Sequence, residues 1–346
     1  MVDPSLEDFV RSQGATAADM QGLDDGELIG LAGDLAASSG QTLNLGQLAE
    51  AGGTDVDTVR RLYNAVGLDV DSLAGFGRSD VALLQLFTSD PSGIVERAAD
   101  ELLRVAGVSL RRLAEATVAV YVQDIENEPG LDRDDLIHLA EMNTLASGLL
   151  VDFAESVGML FRHHMWVAVH QQRTGQREVV EPQLMRAGIG FVDLVGYTPI
   201  SGRLGPAELA AYIDSFERKA FDIAHSHGGR VVKSIGDEVM FTAPELGATA
   251  LIALELVQSF GADHGTAPRG AISAGDVMFR MGDFYGPVVN VAARLVDAAE
   301  PGQVLTDIEP GESGVIAGRP AMTRSLKGFD EAVEVFDVAS VGELGD

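Results

Sequence analysis

The chain has no cysteine, a single tryptophan and only three lysines among 24 basic residues. Without cysteine there is no disulfide framework and no thiolate zinc site, which fits a reducing compartment. Positive charge is scarce. Against 53 acidic residues the formal net charge is −29, so the basic face needed for non-specific binding to nucleic acid or an anionic membrane is missing. No run of 18 uninterrupted apolar residues occurs, and no basic-then-apolar leader opens the chain. The expectation is a cytoplasmic protein with no membrane insertion and no nucleic-acid partner. What is plentiful is apolar material, 46% of 346 residues, enough for two domains with separate cores.

The grammar of the chain changes midway. Residues 1–170 read as an all-helical domain. Apolar residues recur at three and four spacing over Ile94–Arg112 and Leu136–Leu160, with breaks at Asp90-Pro91-Ser92-Gly93 and Glu128-Pro129-Gly130. Within it, Leu45–Glu50 and Val59–Leu68 resemble a helix-turn-helix. Two short helices around a glycine turn are also a common packing unit. This pair offers only Arg60 and Arg61 as cations, beside Asp55 and Asp57, which argues against DNA. Residues 171–185 are polar, end near Pro182, and read as a linker. From 186 to 346 short apolar runs alternate with helices: Gly188–Val195, Pro206–His227, Arg230–Ile235, Glu238–Thr242, Leu246–Phe260, Arg269–Ser273. That order, β-α-β-β-α-β, predicts a ferredoxin-like α+β domain, extended by a helix at Val289–Ala298 and strands at Gln303–Thr306 and Val333–Val338.

Several polar residues sit where a bland core would not need them. Asp193 ends a buried strand and precedes Gly196-Tyr197-Thr198, a turn whose backbone N–H groups could cradle phosphate oxygens. Asp237 lies in the turn of the next hairpin. Two carboxylates with a backbone carbonyl, here that of Leu194, suit Mg²⁺, which keeps few protein ligands. Either aspartate alone could equally be a turn former or a helix cap. Lys233 stands in the apolar strand Val-Val-Lys-Ser-Ile, where an unpaired ammonium is costly, and Asp283 is a candidate partner. Adenine offers a donor at its amino group and an acceptor at N1, matching an Asp acceptor beside a Lys donor; guanine presents the reverse. Asn290 and Arg294 are four apart on one helix face. They could stabilise charge at an attacked phosphorus, or Arg294 could pair with Asp297 or Glu300 on the surface.

Three segments, Phe-Val-Asp-Leu-Val-Gly-Tyr-Thr (191–198), Lys-Ser-Ile-Gly-Asp-Glu-Val-Met-Phe (233–241) and Tyr-Gly-Pro-Val-Val-Asn-Val-Ala-Ala-Arg (285–294), follow one another in order. With them, residues from about Arg186 to Val338 resemble the catalytic domain of class III nucleotidyl cyclases. The resemblance implies an adenylyl cyclase that converts ATP to 3′,5′-cyclic AMP and pyrophosphate. Asp193 and Asp237 would bind two Mg²⁺ or Mn²⁺ ions, and Lys233 and Asp283 would read adenine. Asn290 and Arg294 would stabilise the transition state, and Lys327 would contact the terminal phosphates. It also implies a head-to-tail homodimer with two equivalent sites. A compact arm between Gly275 and Asp283, with Pro287 and Val288 at positions more often polar, resembles a bacterial subgroup.

The helical half resembles the regulatory region of soluble mycobacterial adenylyl cyclases, which inhibits some members and responds to acidic pH. On that reading His163, His164 and His170 before the linker, and His138 a helix earlier, are candidate pH-responsive groups; as ordinary helix-surface residues they would do nothing. The alternatives are a guanylyl cyclase, which would need other residues at 233 and 283, and a nucleotide-binding signalling regulator using the helix-turn-helix.

Overall fold

A computed structural model of the chain describes residues 2–37, 42–88, 94–121, 135–175, 184–196, 202–264, 268–310, 315–324 and 332–342. It divides into two compact units, Met1–Thr174 and Gly175–Asp346.

The first unit is helical: α1 (Pro4–Ser12), α2 (Asp25–Ala37), α3 (Leu45–Ala51), α4 (Val56–Ala65), α5 (Arg78–Thr88), α6 (Ile94–Tyr121) and α7 (Leu136–Gly175). The starts of α1, α3 and α4 carry side-chain caps, from Asp3, Asn44 and Asp55, which satisfy otherwise orphaned N–H groups. Two small cores result. One gathers Leu6, Val10, Leu28 and Ala32 with Ala140 of α7. The other gathers Leu48, Val59, Leu62, Phe76 and Leu84 with Leu103 of α6. The two helices with helix-turn-helix spacing are part of that second core, and Arg60, one of their two cations, makes a bidentate pair with Asp71 at 2.6 and 2.8 Å. Their apolar residues therefore serve packing, and Arg60 is neutralised.

Helix α7 differs from the rest. Leu145, Leu149, Phe153, Leu160, Phe161 and Trp166 are all exposed. Among the described residues it is the one helix whose length and composition would allow a membrane crossing, over Leu136–His170. A search for uninterrupted runs overlooks it because Asp152, Glu155 and Arg162 break the run. It continues to Gly175, and the following strand begins at Leu184, so both ends of the segment expected as linker carry regular structure.

The second unit is an eight-stranded sheet in the order β2-β3-β1-β4-β6-β8-β7, with β5 paired to β4. The elements are β1 (Leu184–Leu194), α8 (Pro206–Ser226), β2 (Arg230–Ile235), β3 (Glu238–Ala243), α9 (Leu246–His264), β4 (Pro268–Arg280), β5 (Asp283–Tyr285), α10 (Pro287–Ala298), β6 (Val304–Thr306), β7 (Ile316–Arg324) and β8 (Val333–Val341). The first four strands, in spatial order β2-β3-β1-β4 and antiparallel throughout, form the expected ferredoxin-like α+β core. One face, with Val192, Leu194, Phe241 and Ile272, packs on α8 and α9 through Phe216, Leu256 and Phe260. The other, with Ile189, Phe191, Met240 and Ala271, packs on α10 through Val291, Ala292 and Leu295.

Strand β1 lies at the centre, and Ala187 to Val192 are buried without interruption. Glycine is required there. A Cβ on Gly190 would come within 2.2 Å of the Phe241 ring directly opposite. Two strand assignments differ from expectation. Strand β4 runs to Arg280 rather than stopping at Ser273, so the compact arm is its far end plus β5. The edge strand β7 was not anticipated, because Gly318 and Pro320 read as breakers; both sit at register shifts, where an edge tolerates them.

Candidate active site

Strand β1 emerges from the core at its C-terminal end, and Asp193 is its first polar residue there. In the ladder Asp193 stands opposite Glu238 of β3 on one side and Arg269 of β4 on the other. All three therefore share the α10 face of the sheet. The Leu194 amide donates to the Asp237 carbonyl at 3.2 Å, which ties the β2–β3 turn to the end of β1. Gly196 follows with φ of 84°, a left-handed turn that glycine permits. Asp193, Asp237 and the Leu194 backbone are thus brought to one sheet end, as the sequence predicts.

This end is strongly acidic, and one cation organises it. Arg269 grips Asp193 at 2.8 Å through Nε and 2.7 Å through a terminal nitrogen. Its other terminal nitrogen donates to the Asp297 carbonyl at 2.9 Å, at the end of α10. Burial raises the Asp237 pKa, its own backbone amide opposes, Asp193 adds to the rise and Arg269 counters it. Glu238 is pushed up to about 7, first by burial and then by Asp193, Asp297 and Asp237, with Arg269 opposing. Among the described residues no three acidic or histidine side chains are arranged as a ready metal cage. Two carboxylates and a carbonyl at adjoining strand ends are nonetheless a donor set fitting a hard cation that takes its remaining ligands from substrate and water. Arg269 and Glu238 were missed in the sequence. The signal for Arg269 was the one used for Lys233, a lone cation opening an otherwise small and apolar strand.

The base-reading candidates form a second group. Lys233 of β2 makes an ion pair with Asp283, whose other oxygen accepts from the Phe284 amide at 2.8 Å. Asp283 begins β5 just after a two-residue hairpin loop, Met281-Gly282. Both loop residues have positive φ, 55° and 83°, as a type I′ turn requires.

Asn290 and Arg294 lie on the exposed face of α10, opposite Val291, Leu295 and Val296. Arg294 is 3.7 Å from Asp297, a loose surface contact of little energetic weight. Among the described residues no hydrogen bond or ion pair joins Asp193 or Asp237 to Lys233 or Asp283. Tyr197, Thr198 and Lys327 fall outside the described residues. His138, His163, His164 and His170 lie along α7; all four are exposed, and His170 stacks on Trp166 at 3.9 Å.

An antiparallel β2-β3-β1-β4 core, carboxylates at the end of β1, a paired Lys233 and Asp283, and Asn290 and Arg294 on the exposed face of α10 are compatible with a nucleotidyl cyclase. The chain belongs to the class III adenylyl cyclase family. It is 32% identical to the adenylate cyclase of Glutamicibacter nicotianae over 277 residues, 75% of this chain and 69% of that one. The second unit is only about half of the chain, so the likeness reaches into the helical unit. A pH-sensitive adenylate cyclase of Mycobacterium tuberculosis is 25% identical over 283 residues, covering 78% of this chain and 70% of its own. Among solved structures, the adenylyl cyclase CyaB of P. aeruginosa is 22% identical and covers 47% of this chain and 98% of that one, with a TM-score of 0.40. No protein-family model matches. The chain is a cyclase of the phosphorus–oxygen lyase class.

Glu238 makes the acidic end pH-dependent. Its folded pKa lies above the unfolded value, so it costs no stability below about pH 4.5. Stability is lost between about pH 4.5 and about 7, where the unfolded carboxyl is ionised and the folded one is not, and the loss levels off above that. In chelator-treated protein, Glu238→Gln should therefore raise the thermal midpoint by an amount that grows from about pH 4.5 to about 7 and is constant above. A gain independent of pH would contradict the assignment.

Proposed function

We propose that the chain converts ATP to 3′,5′-cyclic AMP and pyrophosphate at sites shared between two copies of itself. The observation that carries the choice of ATP is the Lys233–Asp283 pair. An ammonium donor beside a carboxylate acceptor complements N1 and the amino group of adenine, whereas guanine would leave both half-buried groups facing like partners.

Asp193, Asp237 and the Leu194 carbonyl are the ligands we assign to two divalent ions, Mg²⁺ or Mn²⁺. Ions held there would acidify the ribose 3′-hydroxyl and neutralise the triphosphate. The protein's own tasks are then distinct. Arg269 holds Asp193 in place and adds positive charge beside the phosphates. The Gly196-Tyr197-Thr198 turn offers backbone donors to them, and Lys327 serves the terminal phosphates. Asn290 orients the ribose, and Arg294 leaves its weak contact with Asp297 to meet charge developing on the α-phosphoryl oxygens. Lys233 and Asp283 hold the base in register for in-line attack.

A shared site is supported by the absence, among the described residues, of any hydrogen bond or ion pair joining Asp193 or Asp237 to Lys233 or Asp283. The solvent-facing position of Asn290 and Arg294 also supports it, since neither has a task in the monomer. Residues 186–346 are the catalytic domain on this reading. Residues 1–170 are a regulatory domain acting through the segment 171–185, in a cytoplasmic protein with no membrane insertion. We assign acid response to His163, His164 and His170 on α7, where protonation relieves inhibition. The similarity to a protein named for pH sensitivity supports a response to pH.

The shared site has a specific test. Asp193→Ala and Arg294→Ala should each be inactive alone, yet equal mixtures co-refolded or co-expressed should recover about a quarter of wild-type activity. Half the dimers would be mixed, each with one intact site. No recovery from soluble mixed dimers would contradict a site built from two copies. For regulation, the triple variant His163→Asn/His164→Asn/His170→Asn of the full chain should lose activation at acidic pH. An unchanged pH–activity profile would remove these histidines from the switch.

A further inference from the structure

Arg230 belongs to neither group described above, yet it sits against one of them. The register of β2 on β3 shifts between Val231 and Lys233: Arg230 pairs with Thr242, Val231 with Phe241 and Lys233 with Met240. Val232 is the extra residue of a β-bulge. In a regular strand residues three apart face opposite sides of the sheet; the bulge puts Arg230 and Lys233 on the same side, the α10 face. Both then reach the hairpin formed by the end of β4 and β5. Lys233 takes Asp283. The Arg230 guanidinium lies over two rings of that hairpin, 5.3 Å from the Phe284 centroid and 5.8 Å from that of Phe279. The rings themselves are 5.1 Å apart.

The placement is directed at Asp283. Phe284 is its neighbour, and the Phe284 amide holds the carboxylate oxygen Oδ1. Arg230 keeps solvent exposure; partial desolvation lowers its pKa while the Asp283 charge opposes that shift, so the guanidinium feels the same carboxylate that Lys233 pairs with. Strand β5 is three residues long and pairs only with β4, and β2 is the sheet edge. Phe284 anchors the hairpin in the core beneath α10, and the two cations join its outer end to β2. They are not equivalent during binding. When a base enters, Lys233 and Asp283 must each turn from the other toward the ligand, and their mutual attraction no longer ties the hairpin down. Arg230 engages rings rather than the reading groups, so its grip survives that exchange.

We propose that Arg230 is a positioning residue for base selection, clamping Phe279 and Phe284 so that Asp283 keeps its place relative to Lys233 while the base is read. The inference rests on the reading of Lys233 and Asp283 as the base-selecting pair, and its test separates the two. In full-length protein, Arg230→Ala and the similarly long but uncharged Arg230→Met should raise the KM for ATP about tenfold. They should reduce kcat less than about threefold, and lower the ATP-over-GTP ratio of kcat/KM about tenfold, each tenfold step being a loss of roughly 1.4 kcal/mol. Arg230→Lys, which keeps a cation over the rings, should recover most of the selectivity.

Lys233→Met and Asp283→Asn are measured alongside. If they lower ATP preference and the Arg230 variants do not, the clamp is wrong and the base reading stands. If they leave ATP preference intact, the base reading fails and the clamp with it. Thermal unfolding identifies any variant that fails to fold. Arg230→Met, which fills the same space, then decides: wild-type KM and selectivity from it would overturn the role of the charge.

Discussion

Everything at the candidate site follows from the burial of β1 on both faces. A strand enclosed by α8 and α9 on one side and α10 on the other, with antiparallel neighbours along both edges, cannot carry charge along its length. Gly188 and Gly190 are the extreme of that constraint, leaving room for Thr249 and the Phe241 ring. The first place where a carboxylate can reach water is the strand's end, and Asp193 stands there. Because β3 and β4 pair with β1 in fixed register, Glu238 and Arg269 arrive at the same end on the same face, and the β2–β3 turn brings Asp237 beside them. Repulsion among these carboxylates, tempered by one arginine, produces an environment suited to a cation.

A second constraint acts at the sheet edge. Lys233 is half-buried on the edge strand, and the β4–β5 hairpin supplies it a partner by folding across the sheet face. The bulge in β2 aligns Arg230 with it. On the proposed reading, selection of the base would depend on a short hairpin paired to an edge strand through Lys233 and Asp283, whereas the proposed metal ligands lie at the end of the central strand. Binding geometry and phosphate chemistry are separable in this architecture. Asn290 and Arg294 stand apart from both, on a helix whose opposite face is fully committed to the core. Residues so placed have work to do only if something else comes to meet them.

The ferredoxin-like core, the strand-end aspartates and the Lys233–Asp283 pair were legible in the sequence because each violates a burial rule in a way that only a partner resolves. Arg269 obeyed the same logic and was overlooked, since it opens a strand where a surface position was the easier reading. The bulge at Val232 was not legible: the local pattern Val-Val-Lys is compatible with regular pairing, and only the partner strand fixes the register. The full length of β4 was hidden by Gly275-Asp276, which imitates a turn, and β7 by a proline that an edge strand tolerates. In the helical unit, periodicity gave the helices but not the exposed character of α7, because Glu141, Asp152, Glu155 and Arg162 interrupt its apolar residues.

The central claim is that a lysine on the edge strand and an aspartate on the facing hairpin commit this cyclase to adenine. The most direct measurement offers purified full-length protein ATP and GTP together at equal concentration with Mn²⁺ and quantifies both cyclic products. The arrangement of Lys233 and Asp283 predicts cyclic AMP in large excess. Equal amounts of the two products, or more cyclic GMP, would contradict it.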